Sequence, residues 1–424
     1  MTATGAPPAP RRAGAFSSLR SRNYRLYASG QLVSLVGLWM ERVAQDWLVL
    51  QLSGGDPIAL GVATALQFGP VLALSMWAGV LADRLDKRLL LIGLQSGMAV
   101  LALVLGLVDL SGIAQLWHVY LLCLAGGVLS AVEAPVRQSF AVEMVGRDQV
   151  ANAVALNSMT FNAARMIGPA VAGGLIVAVG TGWIFLIRAA SFAGVLAGLA
   201  LMRAAELHRG APVAKAKGQL AEGLRYLRGR PDLVAVMLVV FLVGVFGLNF
   251  HVSLALLASD TFDGDADAYG LLTTTMAVGT LAGAAMAARR SAPGPRLLVG
   301  GAAAFGVLEL LSGLMPTMLT AALALIPVGA AMMTFTTTAN STVQLAVAPE
   351  MRGRVMGVYM TVFMGSAPLS GLLTGWVADR FDARAPLVLG GAVSVLAALL
   401  GALVLARANR MGDTSSQSSE VRLT

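Results

Sequence analysis

The most constraining feature of this chain is a succession of apolar runs, each long enough to cross a bilayer core, which takes about 20 residues. The runs cover, approximately, residues 27–52, 58–82, 89–110, 116–136, 150–179, 183–202, 233–258, 268–288, 297–315, 318–343, 355–377 and 386–406. They do not alternate apolar and polar residues as the strands of a barrel do, so they predict helices. The sequence therefore predicts an all-α membrane protein with twelve transmembrane helices.

The composition agrees with a membrane protein and argues against an enzyme or a metal protein. Hydrophobic residues make up 57% of the chain and charged residues 12%, whereas soluble domains have about 45–50% and about 25%. Cys123 is the single cysteine and there are three histidines, so neither an internal disulfide nor a metal centre is expected. The sequence has no P-loop, H-E-x-x-H or G-x-S-x-G pattern. We expect no catalytic activity and no cofactor.

The basic residues indicate on which side of the membrane each loop lies. With the N-terminus in the cytosol, nearly all of the 30 lysines and arginines fall in the tails and loops of that side. Arg380 and Arg384 lie on the other side, where the loop at 259–267 is acidic. This asymmetry follows the positive-inside rule and predicts a cell-membrane protein with both termini cytosolic. The net charge of +8 is spread over short loops, so no nucleic-acid partner is expected.

The chain divides into two related halves. Pro169 and Pro368, and likewise Arg147 and Arg354, are separated by about 200 residues, which indicates two pseudo-symmetric six-helix bundles in parallel repeat. The predicted segments are a cytosolic tail at 1–26, the first bundle at 27–202, a basic cytosolic linker at 203–232, the second bundle at 233–406 and a disordered cytosolic tail at 407–424.

A charged turn, GVLADRLDKR at 79–88, follows the second predicted span. The similar GWVADRFDAR at 375–384 follows the eleventh and lies on the other side of the membrane, so the two are not equivalent. The repeat partner of the first is GTLAGAAMAARR at 279–290, after the eighth span, which has lost the acid. Gly79 permits close helix approach, and Asp83 suits a helix N-terminus, where an anion is stabilised by about 0.3–1 kcal/mol.

This turn resembles the signature G-x-L-a-D-R-x-G-R-K of the major facilitator superfamily. The matching residues are Gly79, Leu81, Ala82, Asp83, Arg84, Lys87 and Arg88. Asp86 replaces the usual glycine at a position that we expect to be left-handed or a turn, which Asp tolerates. The resemblance implies the major facilitator fold and makes Gly79, Asp83, Arg84, Lys87 and Arg88 a conformational latch against the start of the eleventh span.

The fifth span resembles the antiporter signature G-x-x-x-G-P-x-x-G-G of the same superfamily. Gly168, Pro169 and Gly173 match it, and Ala164 replaces the first glycine. These small residues and the proline predict a kinked, closely packed helix between the halves. The fourth span lacks, at 118–131, the arginine that many proton-linked members carry. The opening at 39–52 resembles the bacterial drug/proton antiporter branch with macrolide-efflux and siderophore-export members.

Ionisable side chains within a span are costly and mark candidate functional sites. Glu41, Arg42, Gln45 and Asp46 cluster in the first span, where Arg42 and Asp46 are four residues apart and can pair. The resemblance places spans 1, 4, 7 and 10 around the central cavity. Either Asp46 or Glu41 takes up and releases the coupling proton, or the group is a permanent structural ion pair near the outer surface.

Other polar residues extend this candidate cavity. In the fifth span, Arg165 continues a polar stripe with Ser158 and Asn162, and it fixes an acid of the other half, contacts an anionic substrate group or is structural. Further cavity candidates are Asn249 and His251 in the seventh span and Thr336, Asn340 and Gln344 in the tenth. Arg188 and Glu309 belong to spans that the resemblance makes peripheral, and we expect them to reach the outer membrane interface.

The sequence thus predicts a secondary transporter that exports an amphipathic small molecule, drug or siderophore-like, in exchange for protons by alternating access. A monomer in the lipid bilayer is expected. An importer or uniporter is the alternative. A receptor or scaffold is disfavoured, because the chain has no sizeable soluble region beyond short tails.

Overall fold

The computed structural model describes residues 17–146, 149–208, 219–289 and 294–420, and within these ranges it describes the backbone alone at 75–76, 78–80, 82–84, 151, 204, 219–220, 288 and 405–420. The described residues fold into helices. They are α1 (Arg22–Ser53), α2 (Pro57–Arg84), α3 (Lys87–Leu110), α4 (Leu116–Val145), α5 (Val150–Val179), α6 (Thr181–Ala200), α7 (Gln219–Arg228), α8 (Pro231–Phe246), α9 (Phe250–Leu256), α10 (Ala266–Ala288), α11 (Pro295–Gly313), α12 (Met318–Ala346), α13 (Pro349–Arg380) and α14 (Ala385–Glu420).

Aspartates are the N-cap residues of α2 and α3. The Asp56 carboxylate accepts from the Ile58 amide at the start of α2, and Asp86 accepts from the amides of Arg88 and Leu89 at the start of α3. Such N-caps satisfy amides that lack an intrahelical partner. Asp86 has φ −62°, so the expected left-handed or turn conformation is wrong: the residue is an extended N-cap.

The twelve-span expectation holds with one qualification at α1. Eleven helical segments of the described residues are long and apolar enough to cross a membrane, and α1 is not among them. Yet α1 has 32 residues and packs against α5 and α6 inside the first half. Because Gln45 and Asp46 are buried and Glu41 is paired, the polar residues of α1 face the protein rather than lipid.

The seventh span is not the continuous helix that the sequence predicts over 233–258. It breaks after Phe246, resumes at Phe250 as α9 and continues as a π-helical segment, Leu257–Thr261. Asn249 lies at the break with φ −93° and ψ 58°, outside the helical region. Freed backbone groups at membrane depth must then be satisfied within the protein.

The two halves meet through α2 with α13, α5 with α10, and α1 with α9 and α10. The terminal face is the surface that carries the start of α1, the 85–86 turn and the end of α6. The opposite face carries the turns at 54–56, 111–115, 314–317 and 381–384. Close approaches between halves, such as Gly375 to Pro57 and Gly173 to Ala266, lie toward the opposite face. The halves are therefore closed there.

The linker and the C-terminal segment are more helical than the sequence predicts. Within 203–232, α7 lies against the start of α13, where Glu222 pairs with Arg354 at 2.8 Å. Helix α14 extends to Glu420, past residue 407, where a disordered tail is expected. The residues directly after the apolar span are Arg407 and Ala408, which are strong helix formers and let the helix continue.

Candidate transport site between the two halves

A hydrogen bond between buried side chains joins the halves near the opposite face. The Tyr269 hydroxyl, on α10, donates to Asp46 Oδ2, on α1, at 2.7 Å. Asp46 is 6% exposed and Tyr269 is fully buried. A bond to a carboxylate is stronger than one between neutral groups, and it is stronger still away from water. This bond joins α1 to α10 across the contact between the halves.

The expected pairing of Arg42 with Asp46 is wrong. Arg42 instead donates to Gln67 Oε1 on α2, and its guanidinium lies 4.9 Å from the Phe68 ring centroid. The Gln67 amide in turn reaches Gln45 Oε1 at 3.5 Å. Residues four apart share a helix face, but Arg42 bonds to Gln67 and Asp46 bonds to Tyr269 of the other half instead.

Glu41 forms an ion pair of its own. Arg188 Nε on α6 donates to Glu41 Oε2 at 2.9 Å, and Arg188 Nη1 donates to the Ser34 carbonyl at 2.7 Å. The guanidinium also lies 3.8 Å from the centre of the Phe192 ring. Arg188 and Glu309 are both buried, so the expectation that they reach the outer interface is wrong. Each faces the interior of its own half.

Trp39 organises an aromatic cluster between α1, α5 and α9. Its ring stacks on His251 with centroids 6.1 Å apart and meets Phe161 edge-on at 5.5 Å. The guanidinium of Arg165 lies 5.4 Å from the Trp39 ring, a cation–π contact. Arg165 has no ion pair with an acid among the described side chains. The cluster therefore leaves its positive charge unneutralised.

The predicted cavity asparagines differ in whether their side chains are hydrogen-bonded. Asn162 donates to the Ser158 carbonyl at 2.8 Å, and Asn340 accepts from Gln344, so both bond within their own helices. Asn249 is buried at the break before α9, and its Nδ2 has no hydrogen-bond partner. Of these residues, Asn249 alone has an unsatisfied buried group, which is the condition that favours a ligand.

The glycines of the fifth span allow close helix packing. A Cβ on Gly168 would lie 2.5 Å from Trp39 Cβ, so only glycine lets α1 and the Trp39 cluster approach α5. A Cβ on Gly173 would lie 2.9 Å from the Ala266 carbonyl oxygen, and the Pro169 carbonyl faces Gly270 of α10. Gly173 and Pro169 thus lie at the contact between the halves, and Gly168 lies within the first half.

A cavity of about 450 Å³ opens toward the terminal face between α1, α4 and α5. Its lining mixes aromatic and polar side chains, namely Tyr24, Tyr27, Gln31, Arg137, Gln138, Asn157, Thr160 and Phe161. Arg137 Nε pairs with Glu133 Oε1 at 2.9 Å. Helix α4 runs to Val145, beyond the expected end at 136, and so carries an arginine that sequence reasoning assigned to a loop.

The charged turn at 79–88 is described in part. Lys87 pairs with Glu143 of α4, and Arg88 donates to the carbonyls of Leu199 and Ala200 at the end of α6. These contacts tie the turn to its own half and complete the last turn of α6. The latch residues Gly79, Asp83 and Arg84 have side chains outside the description, so their contact with the eleventh span stays a prediction.

Sequence reasoning missed Tyr269, Trp39, Gln67 and Arg137. Tyr269 and Asp46 are 223 positions apart, and no local spacing rule connects them. Arg137 could have been found, because Glu133 precedes it by four residues and would neutralise it within a helix.

Two known transport proteins are similar to this chain in sequence. The chain is similar to the staphyloferrin A transporter of Staphylococcus aureus, 26% identical over 259 residues, 60% of this chain and 64% of the relative. It is also similar to macrolide efflux protein A of Streptococcus pyogenes, 23% identical over 396 residues, 91% of this chain and 96% of the relative. The first of these matches spans less than two thirds of the relative's length.

Solved transporters share the fold. An inward-facing bacterial homologue of the iron transporter ferroportin superposes with a TM-score of 0.72 at 14% identity, covering 90% of this chain and 98% of that one. An inward-facing, occupied bacterial homologue of the lysosomal transporter Spinster gives 0.68 at 16% identity, with 91% and 97% covered. The family model described as "Transmembrane secretion effector", of the major facilitator type, matches residues 13–422, and the chain belongs to this family of membrane transporters.

Proposed function

We propose that this protein exports an amphipathic small molecule, drug or siderophore-like, in exchange for protons. It lies in the cell membrane with both termini in the cytosol. The observation that carries the proposal is the Tyr269–Asp46 bond, which closes the opposite face while a cavity of about 450 Å³ opens on the terminal face. One buried carboxylate is then bonded in one conformation and free in the other.

That switch supplies a route for coupling. While the opposite face is closed, Asp46 accepts from Tyr269 as a carboxylate, with its proton released toward the terminal face. When the opposite face opens, α1 and α10 separate, and Asp46 loses its donor, faces that side and takes a proton from it. Inward proton flow is thereby linked to outward movement of substrate.

The cavity supports a substrate with both apolar and polar parts. Phe161 and two tyrosines provide apolar surface, whereas Asn157, Thr160 and Gln138 provide hydrogen-bonding groups. The unneutralised Arg165 lies four residues beyond Phe161 on the same helix face and attracts a negatively charged or electron-rich substrate group. The names of the relatives, a staphyloferrin A transporter and a macrolide efflux protein, agree with this range.

Accumulation of a compound panel in cells with and without the protein tests the direction of transport. The panel contains a macrolide, a carboxylate siderophore and a lipophilic cation. Export predicts lower accumulation of at least one compound in expressing cells, and Asp46→Asn restores the level of the control cells. Higher accumulation in expressing cells would favour the importer or uniporter and contradict export.

Orientation is tested separately in a Cys123→Ala background. A cysteine at exposed Asp263 should react with an impermeant reagent in intact cells, and one at exposed Arg228 only after the cells are opened. The reverse pattern would overturn the assignment of the terminal face to the cytosol.

A further inference from the structure

Glu309 on α11 is a buried acid that the Asp46 switch does not use. Its side chain is 2% exposed, and its Oε2 has no hydrogen-bond partner. Ser394 on α14 is 0% exposed, and its hydroxyl likewise has no partner. Both lie beside the break between α8 and α9. Buried polar groups are rarely left unpaired, so two such groups beside one helix break make this place a candidate binding site.

Two glycines hold the oxygen atoms of this place around a common space. A Cβ on Gly247 would lie 3.0 Å from Glu309 Oε2 and 2.8 Å from Ser394 Oγ. A Cβ on Gly390 would lie 2.8 Å from Glu309 Oε1 and would collide with the Phe246 carbonyl oxygen. Carboxylate, hydroxyl and backbone carbonyl oxygens thus lie close together around two residues without side chains, beside the ring of Phe305. We call this the Glu309 cleft.

The Glu309 cleft contains a carboxylate and the carbonyl end of a helix, and the helices packed around it supply no positive charge in the segments given below. Helix α8 ends at Phe246, so its terminal carbonyls and the negative end of its dipole face the cleft. The packed segments 233–246, 318–346 and 385–404 contain no charged or titratable residue.

The titratable groups on the remaining neighbouring elements are engaged elsewhere or distant. On α9, His251 stacks on Trp39, and Arg384, before α14, donates to the carbonyls of Gly313 and Met315. On α11 itself, Arg296 lies more than three turns from Glu309. An uncompensated carboxylate in such surroundings is costly, and a bound positive charge removes the cost.

We propose that the Glu309 cleft binds one monovalent cation, H⁺ or Na⁺, through the Glu309 carboxylate, the Ser394 hydroxyl and the Phe246 carbonyl. Broken helices in transporters present such carbonyls to Na⁺ or H⁺. Because the ligands come from α8, α11 and α14, the cation ties the break of the seventh span to the body of the second half. Its role in coupling rests on the proposed function, but its binding does not.

Thermal unfolding of the purified full-length protein in detergent tests the binding without substrate. All measurements use an Asp46→Asn background, so that the Asp46 carboxylate does not contribute to the pH response. NaCl replaces choline chloride at constant ionic strength across a pH series. A ligand of the folded state raises the unfolding midpoint as its concentration rises. Binding of Na⁺ predicts a rise with NaCl, and binding of H⁺ predicts a fall as pH increases without a NaCl effect.

Variants assign the response to the cleft. Glu309→Gln, which keeps the shape of the side chain, should abolish the response, and Ser394→Ala should weaken the apparent cation affinity by about tenfold. Ser370→Ala is the matched control, since Ser370 on α13 is also buried and unpartnered. Should Glu309→Gln not fold, the contrast between the two serine variants decides.

A midpoint that responds to neither ion, or that responds identically in Glu309→Gln, Ser394→Ala and Ser370→Ala, would overturn the cleft as a cation site. Absence of transport with an intact midpoint response would instead contradict the proposed function alone.

Discussion

Asp46 in the first half and Glu309 in the second are buried acids with opposite surroundings. Asp46 accepts a hydrogen bond from Tyr269 of the other half, whereas Glu309 Oε2 has no partner and faces groups of its own half. In the proposed transport cycle, movement between the halves breaks the bond of Asp46 and leaves the neighbours of Glu309 in place. Burial alone therefore does not define a coupling residue. The location of its partner decides whether it senses the motion.

Glu41 adds a third case to this comparison. Its partner Arg188 belongs to the same half, and Arg188 is itself fixed by the Ser34 carbonyl and the Phe192 ring. This geometry favours a permanent structural ion pair for Glu41 and uptake and release of the coupling proton for Asp46. The positions of the two residues in the sequence could not distinguish these roles.

The largest effect on folding is expected from Arg188→Leu. It removes the bonds of the buried guanidinium to Glu41 and to the Ser34 carbonyl, and loss of hydrogen bonds to a charged group costs about 2 kcal/mol or more. The unfolding midpoint and the yield of folded protein should both fall, and Glu41→Gln in the same chain should restore part of the loss. Exposed Arg228→Leu is the control and should change stability by about 0.5 kcal/mol or less. A stable Arg188→Leu protein would show that the pair is not structural.

Tyr269→Phe should shift the conformational equilibrium without unfolding the protein. Loss of a hydrogen bond to a charged group is worth about 1.5 kcal/mol, which corresponds to about a tenfold shift toward the form open at the opposite face. Spin labels at exposed Ile58 and Phe381, in a Cys123→Ala background, report the distance between α2 and α13 there. Tyr359→Phe is the control, because buried Tyr359 stacks on Phe363 within its own helix. Equal distance distributions in the two variants would remove Tyr269 from the switch.

The smallest effect is expected from Glu41→Gln. The side chain of Glu41 is 25% exposed, Arg188 keeps its bonds to Ser34, and an amide oxygen at position 41 can still accept from Arg188 Nε. Gradient-driven transport should therefore stay within about twofold of the wild type. Loss of gradient-driven transport in a well-folded Glu41→Gln protein would make Glu41, and not Asp46, the coupling carboxylate.

Much of the fold could be predicted from the sequence, because apolar length, turn charge and the offset between halves are local or periodic signals. The break at 247–249 could not, since Gly247 is one of 48 glycines and no proline marks it. The burial of Arg188 and Glu309 was also missed, because a span assigned to the periphery still has one face toward its neighbours.

The candidate site was predicted less completely for a related reason. Asp46 stands out by its charge within an apolar run, but its partner is an ordinary tyrosine on another helix. The spacing of Arg42 and Asp46 permits a pair that the neighbouring Gln67 and Tyr269 prevent. Contacts between halves depend on how the bundles meet, which a single sequence does not encode locally.

Proton coupling through Asp46 is tested by comparing wild type and Asp46→Asn in proteoliposomes with an imposed pH gradient. Asp46→Asn should abolish gradient-driven substrate movement, because the residue no longer alternates between bonded carboxylate and protonated acid. Downhill exchange of the same substrate should remain, since the cavity on the terminal face does not include Asp46. Full gradient-driven transport by a folded Asp46→Asn protein would exclude Asp46 as the residue that couples protons to transport.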